Sequence, residues 1–433
     1  MINKNVLTND TKTSVVVMNI LVSYFLVIIG VIYHPVMYIA FAYVCAKILL
    51  SKDSLAITLL LVPLAHLAVI FKLSPQSSSL FTYIQLIAVV KYFLINRRIN
   101  RKFLFFWFIF IIYISIGFLL NSIDVGFNNI TDLIKVGMWP LLFYFLIESV
   151  DNNDCKRVLK IYVICVLISS LIGLTSSFIP NMEAYVTYKD VNIGRDYSGV
   201  ITAVRFSGLI GDSNYYSIPL IIAILISIFL WRKSEIKPGL FYLFYFCLVA
   251  LGSMTGSKTF LIMLAIVTLI IIHELYKIKH YKSAFGFSFV IVIAVFLLLS
   301  GYISAFDVVF SRLRGVTTIN DLTTGRSDIW GMYLNNMIRN PLKLLFGNGI
   351  GEGLSYDRFP HNAYIDFVDI LGVIGSTILV TILFYSIKLR KENAPRNRFW
   401  LGFIPIIVMY STLSMFYSTD LVFQLFAITC FII

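Results

Sequence analysis

Long apolar runs alternate with short polar breaks along this chain, and that alternation sets its class. A hydrocarbon core takes roughly 20 apolar residues per helical crossing. Runs of that kind lie at about 13–31, 33–50, 55–71, 78–95, 102–120, 131–148, 157–179, 213–231, 238–253, 256–273, 284–303, 363–387, 398–416 and 418–433. Fourteen crossings follow if every run spans, and twelve if the close pairs near 33 and 253 bend or re-enter. The pattern predicts an all-α polytopic membrane protein with 12–14 transmembrane helices. Residues 1–433 read as a single membrane domain with two polar insertions, a loop at 181–212 and a larger one at 304–362. The larger is too long to be a simple connector.

Composition agrees: 59% of the residues are hydrophobic and 13% charged, where soluble domains run near a quarter charged. The net charge of +13 raises nucleic acid as a partner, but the placement of the cations excludes it. They sit in short breaks between apolar runs: Arg97, Arg98, Arg101 and Lys102; Lys156, Arg157 and Lys160; Arg232 and Lys233; Lys277, Lys279 and Lys282; Lys388, Arg390, Lys391, Arg396 and Arg398. If fourteen runs cross, all five groups fall on one side, which the positive-inside rule makes cytoplasmic. Both termini are then inside and both insertions outside. The first run reads as a retained helix, not a removed signal peptide. Five cysteines show no paired spacing and read as small hydrophobes.

Candidate chemistry concentrates at the outer ends of the runs. Arg205 precedes Gly208, Gly211, Asp212 and Asn214. A planar guanidinium there, followed by turn residues, suits a phosphate. An interfacial arginine paired with Asp212 or with lipid is the plainer alternative. Ser253–Thr259 forms a polar island carrying Lys258, either an approach to an anionic phosphate or a tight turn. It is not a nucleotide-binding loop, because the Gly-x-x-x-x-Gly-Lys spacing is absent.

The larger insertion opens with Ser311-Arg312-Leu313-Arg314 and continues to Arg326-Ser327-Asp328-Ile329-Trp330. Ser327 or Asp328 is placed to cap a helix running towards Asn340, with Pro341 stopping it. Arg326 then lies where helix donors favour an anion, and Trp330 offers a face for sugar stacking. A lid helix with an Arg326–Asp328 pair is the alternative. Gly347, Gly349 and Gly351 suggest a sharp bend centred on 347–349 or a backbone approaching a ligand. His361-Asn362 begins the last part of the insertion, and His361 alone of the five histidines has a polar external setting. It titrates near neutrality; an anchoring histidine is the alternative. No ligand spacing points to a metal. Two arginines and an imidazole suit a diphosphate leaving group, whose developing charge needs stabilisation.

Arg205…Gly208…Asp212-Ser213-Asn214, the Thr-Gly-Ser-Lys turn, Arg326…Trp330, Pro341 with Phe-Gly-Asn-Gly-Ile-Gly, and His361-Asn362 followed by Leu371-Gly372…Gly375 resemble the O-antigen ligase and O-antigen polymerase superfamily. The likeness covers about 200–385. It implies a GT-C-like membrane glycosyltransferase in the bacterial inner membrane, its active site facing the periplasm and partly built by the 304–362 loop. It implies an inverting, metal-independent enzyme without a cofactor, acting on undecaprenyl-diphosphate-linked oligosaccharide as donor and acceptor. A chain-length regulator protein is a candidate partner.

On that likeness Arg205 and Arg326 contact the donor diphosphate and His361 orients or activates the acceptor hydroxyl. Lys258, Asn214, Arg312, Trp330 and Asn362 line the substrate. The family turn usually shows Ser-Arg where this chain has Ser257-Lys258, keeping the charge but losing the fork. A polymerase of surface polysaccharide is the leading expectation. A ligase moving finished glycan onto lipid A-core shares the motifs. A flippase would want polar residues along its spans, whereas the conspicuous ones here sit at the outer mouth.

Overall fold

The computed structural model describes residues 12–96, 99–121, 127–186, 190–193, 201–277, 279, 281–282, 284–289, 318, 325–350, 360–391, 402–411 and 420–432. Its helices are α1 Thr13–Ile32, α2 Pro35–Leu50, α3 Ser54–Ala65, α4 Leu80–Ile95, α5 Arg101–Asn121, α6 Phe127–Ser149, α7 Asn152–Leu174 and the single turn α8 Met182–Tyr185. They continue as α9 Ser213–Arg232, α10 Pro238–Met254, α11 Lys258–Lys277, α12 Arg326–Arg339, α13 Pro341–Phe346, α14 Ala363–Lys391, α15 Phe403–Tyr410 and α16 Asp420–Ile432.

Seven helices are long and apolar enough to cross a membrane, and five shorter ones are predominantly apolar, among the described residues. The chain is a multi-spanning helical membrane protein. Most of the predicted run at 284–303 lies outside the described residues. One feature departs from an all-α reading. β1 Asp190–Ile193 and β2 Ile201–Val204 pair antiparallel, Asp190 opposite Val204 and Ile193 opposite Ile201. Both segments carry the β-branched residues that strands favour, and periodicity over four residues is too short to announce them.

Burial follows from the apolar pattern. α9 is apolar on every side, and 89% of its spanning window is buried against α7, α10, α11 and α16, as a helix without a polar face must be. α5 is the opposite case. Only 22% of its window is buried, and Phe105, Phe108, Ile112, Ile116 and Leu119 form an exposed stripe at helical spacing, suited to lipid.

Two predicted spans take a different form. The third ends as a helix at Ala65, with Pro63 inside its last turn. Twelve residues reach about 18 Å, short of a ~30 Å core. The chain continues as turns through Leu67, Ala68, Ile70 and Phe71, all buried, and closes with an antiparallel bridge between Lys72 and Ser79. Non-helical backbone at this depth is tolerated only where protein covers it. The twelfth span, α14, is broken at Gly372 (φ 65°, ψ 177°).

Contacts sort the helix ends onto two faces. On one, Lys156 and Lys160 both pair with Glu235, at 2.6 and 2.8 Å. Arg390 donates to the carbonyls of Ile147 and Val150, and Tyr385 donates to Asn100 at 3.2 Å. The Thr58 and Ser149 hydroxyls meet at 2.7 Å. On the other, Asn181 donates to Ile32, the Phe206 amide to Met254 and the Tyr216 hydroxyl to Ser170. The ends that carry Arg101, Lys156, Lys160, Arg232 and Arg390 thus share a face, as the charge pattern requires.

Candidate functional site

The first node forms where α9 and α11 begin. Arg205 is buried (7% exposed). Its Nε donates to the Thr255 carbonyl at 2.7 Å and its Nη2 to Asn214 Oδ1 at 3.1 Å. Ser257 Oγ donates to the same Asn214 oxygen at 3.0 Å. Asp212 caps α9, accepting from the Asn214 and Tyr215 amides. The turn at 255–257 is tight, with Gly256 at φ +56°, and Lys258 opens α11 directly after it. Of the two readings of the polar island, the structure shows the tight turn, and the turn's Thr255 carbonyl also holds Arg205.

Close packing makes this possible. A Cβ on Gly173 would press on the Gly208 backbone, and one on Gly208 would overlap the Tyr216 ring. Gly208 also sits at φ +55°, which L side chains avoid. The chain end of α7 and the turn before α9 can approach only as glycines.

The second node lies on α12 and the start of α14. α12 runs from Arg326 to Arg339 as expected, but its N-cap is Gly325 at φ +80° with no side-chain cap. Ser327 and Asp328 sit inside the first turn, where Asp328 favours the positive end of the helix dipole. Pro341 ends α12 by opening α13. Trp330 Nε1 donates to the Pro360 carbonyl at 2.7 Å, which fixes the residue before His361. His361 itself takes a left-handed conformation, φ +50°. Asn362 is buried and its Oδ1 caps α14 by accepting from Tyr364 and Ile365. That oxygen has a structural role beside the substrate contact expected of the residue.

Arg326, Trp330 and His361 thus belong to one node, and Arg205, Asn214 and Lys258 to another. α15 stands between their helices: it packs on α11 and its Ile407 carbonyl accepts from Tyr364 of α14 at 3.2 Å. Arg312 lies outside the described residues.

Further along α14 lies its break at Gly372. The Asn348 amide donates to the Asp369 carbonyl at 2.7 Å and the Gly349 amide to Ile370 at 3.0 Å. The Tyr113 hydroxyl meets the Leu371 and Phe346 carbonyls at 2.7 and 2.9 Å, and Ser376 donates to Phe367. Carbonyls freed by the break find donors, as a bilayer demands. The glycine run bends where expected, with Gly347 at φ +78° and Gly349 at φ +83°. Its backbone approaches the backbone of α14.

Of the acids in this region, the sequence points to Asp366 only as a neighbour of His361 that completes no metal site, and it does not single out Asp369. Asp369 is buried and accepts from Asn348 Nδ2 at 2.9 Å, and Asp366, one turn earlier, is buried too. Two acids three residues apart inside an apolar run are the signal that could have flagged them. Ser257 was read only as part of a turn. No group of three or more His, Cys, Asp or Glu gathers at metal-binding distance among the described residues.

No family model matches the chain, and no solved structure does. The chain is 24% identical over 325 residues to a "ComP-specific O-oligosaccharyltransferase" of Acinetobacter baylyi, a match covering 69% of this chain. It spans about half of that relative, 55% of its length.

Proposed function

We propose that this protein is a membrane glycosyltransferase. It moves an oligosaccharide from undecaprenyl diphosphate onto a sugar hydroxyl of an incoming lipid-linked repeat unit, extending a surface polysaccharide. The observation that carries the reading is the buried Arg205, its fork held by Thr255 and Asn214 at the point where two helices begin. Helix N-termini and a preorganised guanidinium favour the same ligand, an oxyanion such as a diphosphate. Likeness to an oligosaccharyltransferase supports the class of reaction.

In the proposed step the acceptor oxygen attacks the anomeric carbon from the face opposite the diphosphate. One C–O bond forms, the bond to the diphosphate breaks, and the configuration inverts. Arg205, Arg326 and Lys258 stabilise charge on the departing diphosphate. His361, set by the Trp330–Pro360 hydrogen bond, orients the acceptor hydroxyl and takes its proton. Donor and acceptor meet at the periplasmic face of the inner membrane, with a chain-length regulator as partner.

A second reading follows from the relative's name: the acceptor is a hydroxyl on a protein. The ligase reading differs in the same way, through acceptor alone. A deletion strain separates them. One repeat on the lipid A-core with the ladder gone marks the polymerase. Long glycan stranded on its lipid marks the ligase. An intact ladder, with one surface protein lighter by a glycan, marks the protein-acceptor enzyme. Unchanged glycans in every fraction would reject all three.

A further inference from the structure

A second cationic site lies at the far end of the two helices that frame the break in α14. There the start of α5 and the last turns of α14 flank an open surface cavity of about 450 Å³ lined by Asn100, Arg101, Lys102, Tyr385, Lys388 and Leu389, its three cations exposed. Among the described residues, three of the six that line it are cations and none is an acid. Glu148 does not line it. We infer that this cavity binds the phosphate of an anionic phospholipid headgroup.

The positive-inside rule accounts for charge in this loop but requires no cavity. Here cations from helices more than 280 positions apart in sequence converge, held by the Tyr385–Asn100 hydrogen bond of 3.2 Å, 285 residues apart in the chain. Asn100 Oδ1 also accepts from the Lys102 and Phe103 amides. The helix start is therefore already capped, and the side chains carry the site. Arg390, two residues beyond Lys388, is instead buried and bonded to the Ile147 and Val150 carbonyls. It anchors α14, whereas Lys388 is left at the cavity.

The surroundings favour a lipid over a soluble phosphate. Phe105 and Phe108, one and two turns along α5, are 62% and 58% exposed, and Phe384, one turn before Lys388, is 68% exposed. Acyl chains below a bound headgroup would lie along this apolar surface.

Native mass spectrometry of the purified full chain, with phosphatidylglycerol or phosphatidylcholine added, tests the inference. Phosphatidylglycerol should be retained preferentially, and each of Arg101→Gln, Lys102→Gln and Lys388→Gln should weaken it roughly fivefold. Because charge removal can disturb insertion, the wild-type protein provides an independent arm: the preference should shrink as salt rises. Equal retention of the two lipids would overturn the inference. So would a preference unchanged in all three variants. Inorganic phosphate binding with the same residue dependence, and no advantage for phosphatidylglycerol, would assign the cavity to a soluble anion and reject the lipid.

Discussion

Arg205 commits at least two of its five donors to the protein before any substrate arrives. One goes to a carbonyl across a turn and one to an amide on the next helix. That geometry fixes the plane of the guanidinium, so charge alone cannot replace it. Arg205→Lys should lower transfer at least tenfold with the protein still in the membrane, measured as polymer formed per unit of enzyme. Activity equal to wild type would remove the oriented fork from the proposal. Ser257→Ala should cost less, because Asn214 keeps its contact with Arg205. The placement of Arg205 at a helix mouth was legible in its neighbours, a cation beside turn residues. The Asn348–Asp369 contact was not legible, because it joins residues 21 positions apart across a turn and a broken helix. Pattern reading along one segment has no access to such a pair.

A broken helix inside a bilayer must re-satisfy every backbone group that it frees, and α14 does so with three different elements. The two closest approaches admit no side chain. A Cβ on Gly347 would overlap the Ile370 carbonyl, and one on Gly372 would overlap that of Leu345. Both glycines also hold positive φ, which adds about 1 kcal/mol or more of strain for any other residue. Gly347→Ala and Gly372→Ala should therefore sharply lower the yield of monodisperse protein and its melting temperature in detergent. Gly239→Ala, with nothing within 4 Å of its new Cβ, should change neither. Equal behaviour of the three would refute the packing of the loop on α14. Tyr113→Phe removes the hydroxyl that meets Leu371 and Phe346 and should cost about 1–3 kcal/mol, visible as a lower melting temperature with the fold retained. The bend itself was readable from three glycines in five residues. The break in α14 was not, since Gly372 sits in an apolar run that reads as one continuous span. The early end of α3 escaped for a related reason: burial of the turns that follow it, not local periodicity, decides its form.

At the scale of the whole molecule, the distribution of charge and the contacts between helix ends describe one arrangement. Ion pairs join α7 to the segment between α9 and α10, and the Arg232–Glu274 pair, 3.1 Å, joins α9 to α11. All lie on the basic face. Cysteines introduced at Lys237 and Lys279 should therefore react with an impermeant reagent from the same side, and one at Asn181 from the other. Labelling of all three from one side would break the topology. Acid provides a further check on this face. Hydrogen bonds and charge from Lys156 and Lys160 hold the Glu235 carboxyl below its usual range. A depressed carboxylate pKa contributes stability that is complete above the unfolded value, near 4.3, and is lost as pH falls through the folded one. The pairs are partly exposed, so the contribution stays within about 1 kcal/mol and shrinks in salt. Glu235→Gln should thus lower the melting temperature slightly at neutral pH, with the deficit shrinking as pH falls through the depressed folded-state pKa. A variant whose deficit persists unchanged in acid would show that Glu235 acts by packing. The clamp would then contribute no charge to the orientation of the chain, and the basic face would owe its order to helix contacts such as Arg390 with Ile147 and Val150.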